Sequence, residues 1–387
     1  MKQEILSYLS TEKENLFNLC KFLYDNPEES YKEFKSCKYI CDFLNNRGFN
    51  VTKNICDIET AFIATKGLGY PNICFLCDYD ALKDQGHITG NNLLTTISIA
   101  SAIGLGSIIE DIDGTITIIG CPGELLGGCK STFAKLGILD NIDAVLMVQP
   151  DLVTAESGLS KATIPLRVKF RGGDGLSFLN SKTYTSLDGI ILTFNILNAL
   201  LKALNPDISI NFILSEGGKN PLLVPEEAEA KFYIRAKDMD MARFAEERLK
   251  ELTHYVSKLM GLQNTCSLYE PPNKELISNE TLNRLFVNNL KENGIIDICP
   301  PLDIEWGLSI GDISHEIPCI HSYINIVESG LIYYGTKEFA CETLSDFAFE
   351  QGFKASCALI STALDLIESD SLLNEAKCNL YESTKNI

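Results

Sequence analysis

Three short apolar runs, separated by stretches with a helical pattern, constrain the fold of this chain most. The runs cover residues 72–77, 115–120 and 144–148, and the helical stretches between them cover residues 92–109 and 131–138. Strands that are apolar on both faces and alternate with helices are typical of a parallel sheet covered on both sides. We therefore predict an α/β fold with a mostly parallel sheet and helices on both faces.

The order of elements changes between residues 160 and 272. The pattern there predicts a strand, a helix, two strands, a long charged helix and a last strand. This βαββαβ order is that of a small two-layer α+β domain. We predict that it is a separate domain inserted into a larger α/β domain of residues 1–159 and 273–387. The polar tail after Asp370 is expected to be frayed or loosely packed.

Polar side chains follow each of the three apolar runs. In parallel sheets the ligand site lies just beyond the carboxyl ends of the strands. The residues at these ends are Asp78 and Asp80 after the first run, Cys121 and Glu124 after the second, and Gln149 and Asp151 after the third. This order predicts a polar pocket with several carboxylates near its rim.

Charge and cysteine usage exclude some classes of function. A net charge of −19 argues against a nucleic-acid partner, because phosphates require a basic face. No apolar run has the length of a membrane span, and no signal-peptide core follows Met1, so we expect a cytoplasmic protein. The fourteen cysteines are irregularly spaced and often lie in apolar stretches, which favours reduced thiols. Cys74 and Cys77 lie in a predicted strand, where we expect them to pack in the core.

Several motifs, taken in order, resemble one family of enzymes. The matching segments are residues 78–82, 86–87, 121–124 with Gly127, Gly128 and Lys130, 217–236, 311–320 and 336–340. They resemble the aminoacylase and carboxypeptidase type of amidohydrolase, peptidase family M20. The resemblance is strongest to the branch with aminobenzoyl-glutamate and indole-acetyl-amino-acid hydrolases, and it runs from residue 26 to residue 367. It implies the two-domain fold, with residues 160–272 as a lid and dimerisation domain, and an acylated amino acid or peptide-like amide as ligand.

The resemblance also locates five positions at which the family binds two metal ions. The family's cysteine is replaced here by Thr89 and its glutamate by Leu125. Its three histidines are replaced by Asn91, Gln149 and Gly335. Zinc is held by thiolate, imidazole and carboxylate groups. Threonine, asparagine and glutamine are weak oxygen donors, and leucine and glycine offer no side-chain donor. Compared with the family that the chain resembles, these replacements imply a protein with no zinc and no other cofactor.

Two positions in the predicted lid also depart from the family. Where the family has a histidine that stabilises the oxyanion, this chain has Leu176, and Leu222 replaces an asparagine of a later lid loop. The electrophilic groups of the family are thus replaced together with its metal ligands.

The remaining candidates for catalysis are Glu124, Asp80 and His87. In the family the glutamate at position 124 is the general base, and here it is either an acid–base group or a structural partner of Lys130 or of the following helix. Asp80 is expected to hold His87 or Asn91. His87 beside a carboxylate is a candidate base, and a structural role is the alternative.

Cys121 is a candidate nucleophile, because it lies at a junction between a strand and a helix. Chance placement among so many cysteines is the alternative. We assign no chemistry to His254, His315 or His321.

Two classes of function remain open. One is a metal-independent enzyme that acts on an acylated amino acid or peptide-like amide by amide or acyl transfer, cyclisation or lyase chemistry. The other is a catalytically inactive protein that binds a peptide-like ligand or a partner protein. The polar replacements favour a pocket that still holds a polar ligand, and we favour the enzyme. A homodimer through a strand edge and a helix of the lid domain is implied by the resemblance, with residues 162–170 and 192–204 as the candidate strand and helix.

Overall fold

The computed structural model describes residues 2–179, 183–201 and 205–385. The chain forms two compact units. The first, called the sheet unit, comprises Met1–Leu159, Leu276–Asp303 and Asp312–Ile387. The second, called the inserted unit, comprises Ser160–Glu275 and Ile304–Gly311.

Helices and strands are numbered in chain order. The helices are α1 (Lys2–Asp25), α2 (Phe34–Asn45), α3 (Asn91–Gly106), α4 (Lys130–Lys135), α5 (Ser186–Leu200), α6 (Met239–Met260), α7 (Glu280–Glu292), α8 (Ile310–Ser314), α9 (Lys337–Glu342), α10 (Asp346–Glu368) and α11 (Asp370–Lys385). The strands are β1 (Asn50–Lys53), β2 (Phe62–Gly67), β3 (Asn72–Cys77), β4 (Thr115–Gly120), β5 (Ala144–Asp151), β6 (Ala155–Ser157), β7 (Ala162–Arg171), β8 (Ser209–Glu216), β9 (Glu227–Ala236), β10 (Gln263–Leu268), β11 (Cys299–Leu302) and β12 (Cys319–Asn325). None of the helices in the described ranges is long and apolar enough to cross a bilayer.

The sheet unit is built on an eight-stranded sheet. Its strand order is β1-β2-β4-β3-β5-β12-β6-β11, and the central strands β4, β3, β5 and β12 are parallel. The central strands are buried almost throughout, as expected for strands covered on both faces. Helix α3 is buried along its whole length and packs against the sheet, α1 and α10. The predicted α/β fold with a mostly parallel sheet is confirmed.

The inserted unit has the predicted βαββαβ order. Its antiparallel sheet has the strand order β10-β7-β9-β8, and α5 and α6 pack on it. Burial alternates strictly along β9, so that one face of the sheet meets the helices and the other does not. The expectation that residues 162–170 offer a strand edge is wrong, because β7 lies between β10 and β9. The edge strands are β8 and β10.

The C-terminal segment differs from the sequence-based expectation. Residues 370–385 form α11, which packs against α7 and α10 with Leu373 and Ala376 fully buried. Lys377 adds an ion pair with Asp143 at 2.5 Å. The frayed tail that the polar composition suggested is therefore wrong for these residues, since a narrow apolar stripe is enough to dock a helix.

Candidate active site

Polar residues follow the ends of β3 and β4, two strands that lie side by side. The two strands are parallel and in register, with Cys77 opposite Gly120, and the amide of Cys121 donates to the carbonyl oxygen of Cys77 at 2.8 Å. Asp78 and Asp80 follow β3, and the turn that carries Glu124 follows β4. Three of the carboxylates nominated from the sequence, Asp78, Asp80 and Glu124, are thus brought to one edge of the sheet, as the topology requires.

A buried lysine joins two of these carboxylates. The ammonium of Lys130, the first residue of α4, donates to both carboxylate oxygens of Asp78, at 2.7 and 2.9 Å, and to Oε2 of Glu124 at 2.7 Å. The side chains of Lys130 and Asp78 are 1% and 3% exposed, whereas that of Glu124 is 16% exposed. Burial disfavours the charge, but Asp78 and Glu124 hold the pKa of Lys130 well above its ordinary value. Glu124 is therefore the accessible end of a buried ionic cluster.

The carboxylate of Asp80 accepts hydrogen bonds from three segments of the chain. Its Oδ2 accepts from the hydroxyl of Ser30 at 2.7 Å and from the amide of Leu125 at 2.9 Å. Its Oδ1 accepts from the side-chain amide of Asn91 at 3.0 Å. Of the two partners expected from the sequence, Asn91 is thus the one that Asp80 holds. Asp80 is fully buried, and its contacts are those of a positioning residue.

The polar replacements at the family's metal-binding positions bond to protein groups. The hydroxyl of Thr89 donates to Oδ1 of Asn91 at 3.1 Å, and the side-chain amide of Gln149 donates to the carbonyl oxygen of Thr89. Leu125 is half-buried, and Gly335 lies just before Thr336, which caps α9. Thr89, Asn91 and Gln149 therefore form one continuous hydrogen-bonded chain that ends on Asp80.

These side chains do not fit the two metal ions that the resembled family binds. Leu125 and Gly335 have no side-chain donor atom, and the amide and hydroxyl oxygens nearby are weak zinc ligands. The space between Asp78 and Glu124 is filled by the ammonium of Lys130. Within the described ranges, no group of three or more His, Cys, Asp and Glu side chains is arranged to hold a metal ion.

His87 has the environment of a structural side chain. It is 1% exposed, and its Nε2 donates to the carbonyl oxygen of Leu23 in α1 at 3.0 Å. Burial lowers the pKa of His87 to about 4, so that the ring is neutral at physiological pH. These contacts support the structural alternative over a role of His87 in catalysis.

Cys121 is also placed unfavourably for chemistry. The thiol is fully buried and donates to the carbonyl oxygen of Ile119 at 3.6 Å. A nucleophile has to be reached by its substrate, so the environment supports packing and not attack. Cys74 and Cys77 are fully buried as well, in agreement with the core packing expected for them.

Glu33 is a site residue that the sequence did not suggest. Its Oε1 accepts from the amides of Tyr31 and Gly123, at 2.8 and 3.0 Å, and its Oε2 accepts from the hydroxyl of Thr60 at 2.9 Å. Burial and the charge of Asp80 raise the pKa of Glu33 to about 7. Because Gly123 directly precedes Glu124, Glu33 holds the turn that presents the candidate acid–base group. No local motif signals this role.

The ring of Tyr31 packs on the same turn. A Cβ atom at Gly123 would lie 2.4 Å from the ring, and Gly123 has a φ of +78°, so only glycine fits there. The segment that carries Ser30, Tyr31 and Glu33 therefore positions both Asp80 and the turn before Glu124.

In the inserted unit, Leu176 and Leu222 lie in two loops that bond to each other. The amide of Ser177 donates to the carbonyl oxygen of Leu222 at 2.9 Å, and Leu176 forms a bridge with Leu223. The two leucines are 36% and 51% exposed. These two loops thus present apolar side chains.

Sequence comparison finds relatives among amide-cleaving enzymes. The chain is 26% identical over 322 residues to a mouse Xaa-Arg dipeptidase, with 80% of this chain and 74% of that protein covered. It is 27% identical over 302 residues to one of the subunits of the Escherichia coli p-aminobenzoyl-glutamate hydrolase, with 70% of this chain and 63% of that protein covered. No protein-family model matches the chain.

Solved structures share the fold over nearly the whole chain. A putative aminohydrolase from methicillin-resistant Staphylococcus aureus superposes with a TM-score of 0.73 at 18% identity, covering 97% of this chain and all of that one. A dinuclear metal-binding peptidase of the M20 family from Bacillus subtilis superposes with a TM-score of 0.63 at 17% identity, covering 91% of this chain and 98% of that one. The chain resembles the M20 amidohydrolases in sequence and in fold, which confirms the predicted resemblance.

Proposed function

We propose that this protein binds an acylated amino acid or a peptide-like amide and acts on it without zinc, with Glu124 as the acid–base group. The reaction class is amide or acyl transfer, cyclisation or lyase chemistry. One observation carries the proposal: Glu124 is the accessible carboxylate of a cluster whose other members, Lys130 and Asp78, are buried. A side chain that exchanges protons with a ligand must be within hydrogen-bond reach of it.

The geometry around Glu124 supports this role because the carboxylate is fixed before any ligand binds. Lys130 holds one carboxylate oxygen, Glu33 holds the amide of Gly123, and Asp80 holds the amide of Leu125. A preorganised group loses little entropy when a ligand docks against it. The relatives named for dipeptides and for p-aminobenzoyl-glutamate suggest a ligand in which an amide links an acyl group to an amino acid.

Replacing Glu124 by Gln is expected to abolish turnover and to preserve folding and ligand binding. Glutamine keeps the size and one acceptor oxygen but cannot take up a proton, so the rate should fall at least about 100-fold. The measurement is product formation from a panel of N-acyl amino acids and dipeptides in buffer with a chelator, followed by mass spectrometry. Glu110→Gln, at an exposed position, is the matched control and should keep full activity. Equal turnover by wild type and Glu124→Gln would rule out acid–base catalysis by Glu124.

A binding protein without catalysis is the second candidate. The hydrogen bonds among Thr89, Asn91, Gln149 and Asp80 favour it over catalysis, because side chains held by protein atoms are not available to assist a reaction. Ligands that raise the midpoint of thermal unfolding of the wild type and of Glu124→Gln equally, with no product formed by either, would identify this candidate.

We infer that the protein is a homodimer formed through β8 of the inserted unit. This edge strand pairs only with β9 in the described part of the chain, and it exposes Ile213 and Leu214. The outer side of α5 adds exposed Ile191 and Leu200. An apolar edge strand is a template for pairing with a second chain, and a two-fold axis through β8 would place the same strand on both sides.

Replacing both Ile213 and Leu214 by Lys is expected to convert the dimer to a monomer. Two ammonium groups would have to be desolvated in the pairing edge, and like charges would face each other across the two-fold axis. The measurement is molar mass by light scattering after size-exclusion chromatography. Leu268→Lys, on the opposite edge strand β10, is the control and should leave the dimer intact. A wild-type mass of one chain would disprove the dimer.

We also infer a cytoplasmic location. The cysteines are free thiols, most of them buried, and such usage fits a reducing compartment. Fractionation of cells that express the untagged protein tests this directly, and recovery in a secreted or membrane fraction would contradict it.

A further inference from the structure

Tyr31 lies beside the turn of Glu124 in an unusual backbone conformation. Its φ of +63° is in the left-handed region, which residues with a bulky side chain rarely adopt. The residues around it are anchored: the hydroxyl of Ser30 donates to Asp80 at 2.7 Å. Oε1 of Glu33 accepts from the amide of Tyr31 itself at 2.8 Å. Backbone strain of this kind is concentrated at functional sites, where the surrounding structure maintains it.

This conformation places the ring of Tyr31 against the residue that precedes Glu124. A Cβ atom at Gly123 would lie 2.4 Å from Cζ of Tyr31, the ring carbon that carries the hydroxyl. Tyr31 is also 36% exposed, so its side chain is not enclosed by the protein. The hydroxyl end of the ring is therefore next to the turn of the candidate acid–base group and can be reached by a ligand.

The hydroxyl of Tyr31 has no hydrogen-bond partner in the part of the chain that the structure describes. Burial raises the pKa of Tyr31, and the thiol of Cys129 and the carboxylate of Glu124 raise it further. The phenol therefore stays protonated at physiological pH. It is available as a hydrogen-bond donor and does not compete with Glu124 as a base.

The charges around the phenol indicate which group of a ligand would meet this donor. The carboxylates of Glu124, Asp80 and Glu33 all act on Tyr31. A carboxylate of the ligand would be repelled by these charges, whereas the neutral carbonyl oxygen of an amide would not. A donor at this oxygen contributes most when negative charge develops on it during a reaction.

We propose that the phenol hydroxyl of Tyr31 is a ligand-contacting donor of this site and binds the carbonyl oxygen of the ligand's amide. Tyr31 and Glu124 then have separate tasks: the phenol polarises the carbonyl group, and the carboxylate exchanges the proton. This inference rests on the proposed function, because it requires a ligand with an amide beside Glu124. In a protein that binds without catalysis, the same hydrogen bond contributes to affinity.

Replacing Tyr31 by Phe is expected to lower kcat/KM about 100-fold, mostly through kcat, because the donor is lost. Phenylalanine keeps the ring that packs on Gly123, so the midpoint of thermal unfolding should stay within about 2 °C of the wild type. The measurement is the kinetics of the N-acyl amino acid or dipeptide that the wild type turns over fastest, in buffer with a chelator. Tyr255→Phe, at a position that is 69% exposed on α6, is the matched control and should keep wild-type kinetics.

A second readout changes the ligand instead of the protein. A thioamide has sulfur in place of the carbonyl oxygen, and sulfur is a weak hydrogen-bond acceptor. The preference of the wild type for the amide over the matching thioamide should therefore be about tenfold larger than that of Tyr31→Phe. A side chain that acts only through packing would leave this preference unchanged, so an unchanged preference contradicts the inference even if the rate falls.

The outcomes separate this inference from the proposed function. Equal kcat/KM for wild type and Tyr31→Phe would overturn the inference and leave the proposed function standing. If the wild type binds ligands without turnover, dissociation constants from titration calorimetry replace the rates. The inference then requires Tyr31→Phe to bind the amide about tenfold more weakly, and equal affinities contradict it. A wild type that neither turns over nor binds any N-acyl amino acid or dipeptide would overturn both.

Discussion

Replacing Lys130 by Met is expected to lower the free energy of unfolding at pH 7 by about 3–5 kcal/mol. The side chain of Lys130 is 1% exposed and pairs with Asp78, which is 3% exposed. Methionine fills most of the volume but donates no hydrogen bond. Burial already raises the pKa of Asp78 to about 8 beside Lys130, so without the ammonium Asp78 must either take up a proton or keep its charge unpaired. Removing one partner of a buried ion pair costs far more than the net worth of the pair, because the remaining charge is stranded.

The measurement is urea unfolding of wild type and variant, followed by circular dichroism. Lys135→Met, an exposed lysine of the same helix α4, is the matched control and should change the stability by less than about 0.5 kcal/mol. Combining Lys130→Met with Asp78→Asn should recover part of the loss, because an amide costs less to bury than a carboxylate. If Lys130→Met and Lys135→Met are equally stable, the buried pair does not contribute as the contacts suggest.

The central part of the fold could be predicted from the sequence because its signals are local. The apolar runs at residues 72–77 and 115–120 coincide with β3 and β4, and the elements of the inserted unit are found in the expected order. The short strands β2, β6 and β11 were not predicted, since their hydrophobic patterns are weak. Helix α11 was also missed, because so few of its residues face the core.

The candidate site could be predicted in part for the same reason. Asp78, Asp80 and Glu124 were nominated by their positions directly after strands, which is a local feature combined with a topological rule. Lys130 was expected only as a possible structural partner of Glu124, and that pair is found at 2.7 Å. Its contact with Asp78 and the role of Glu33 had no comparable signal. Lys130 bonds to Asp78 across 52 positions of sequence, and Glu33 bonds to Gly123 across 90. Contacts at such separations are fixed by the packing of the whole unit, and a single sequence does not show which partner a buried charge will find.

Replacing Glu33 by Gln is expected to flatten the pH dependence of stability between about pH 5 and pH 8. Burial and the charge of Asp80 raise the pKa of Glu33 from its ordinary value of 4.5 to about 7 in the folded protein. The folded state therefore binds this proton more tightly than the unfolded state. The contribution of Glu33 to the stability of the fold is most favourable below the pKa that this residue has in the unfolded chain. It is lost as the pH rises through the folded-state pKa of about 7. The shift in pKa corresponds to a loss of roughly 3 kcal/mol in the free energy of unfolding over this range, at about 1.4 kcal/mol for each pKa unit.

Glutamine suits the position because its contacts are compatible with an amide. Its carbonyl oxygen can accept from the amides of Tyr31 and Gly123 as Oε1 of Glu33 does, and the hydroxyl of Thr60 can rotate to accept from the side-chain NH₂. The variant should match the wild type within about 1 kcal/mol near pH 5, where both side chains are neutral, and should be the more stable protein at pH 8.

Urea unfolding at pH 5, 6, 7 and 8 measures the difference in stability between Glu33→Gln and wild type. Histidines buried in both proteins, such as His87 with its pKa lowered to about 4, contribute equally and cancel in this difference. Glu29→Gln is the matched control from the same segment, because the side chain of Glu29 is 43% exposed and forms a surface ion pair with Lys32. It should run parallel to wild type at all four pH values. If Glu33→Gln also runs parallel, Glu33 does not titrate in this range, and the carboxylate that holds the Glu124 turn is ionised throughout.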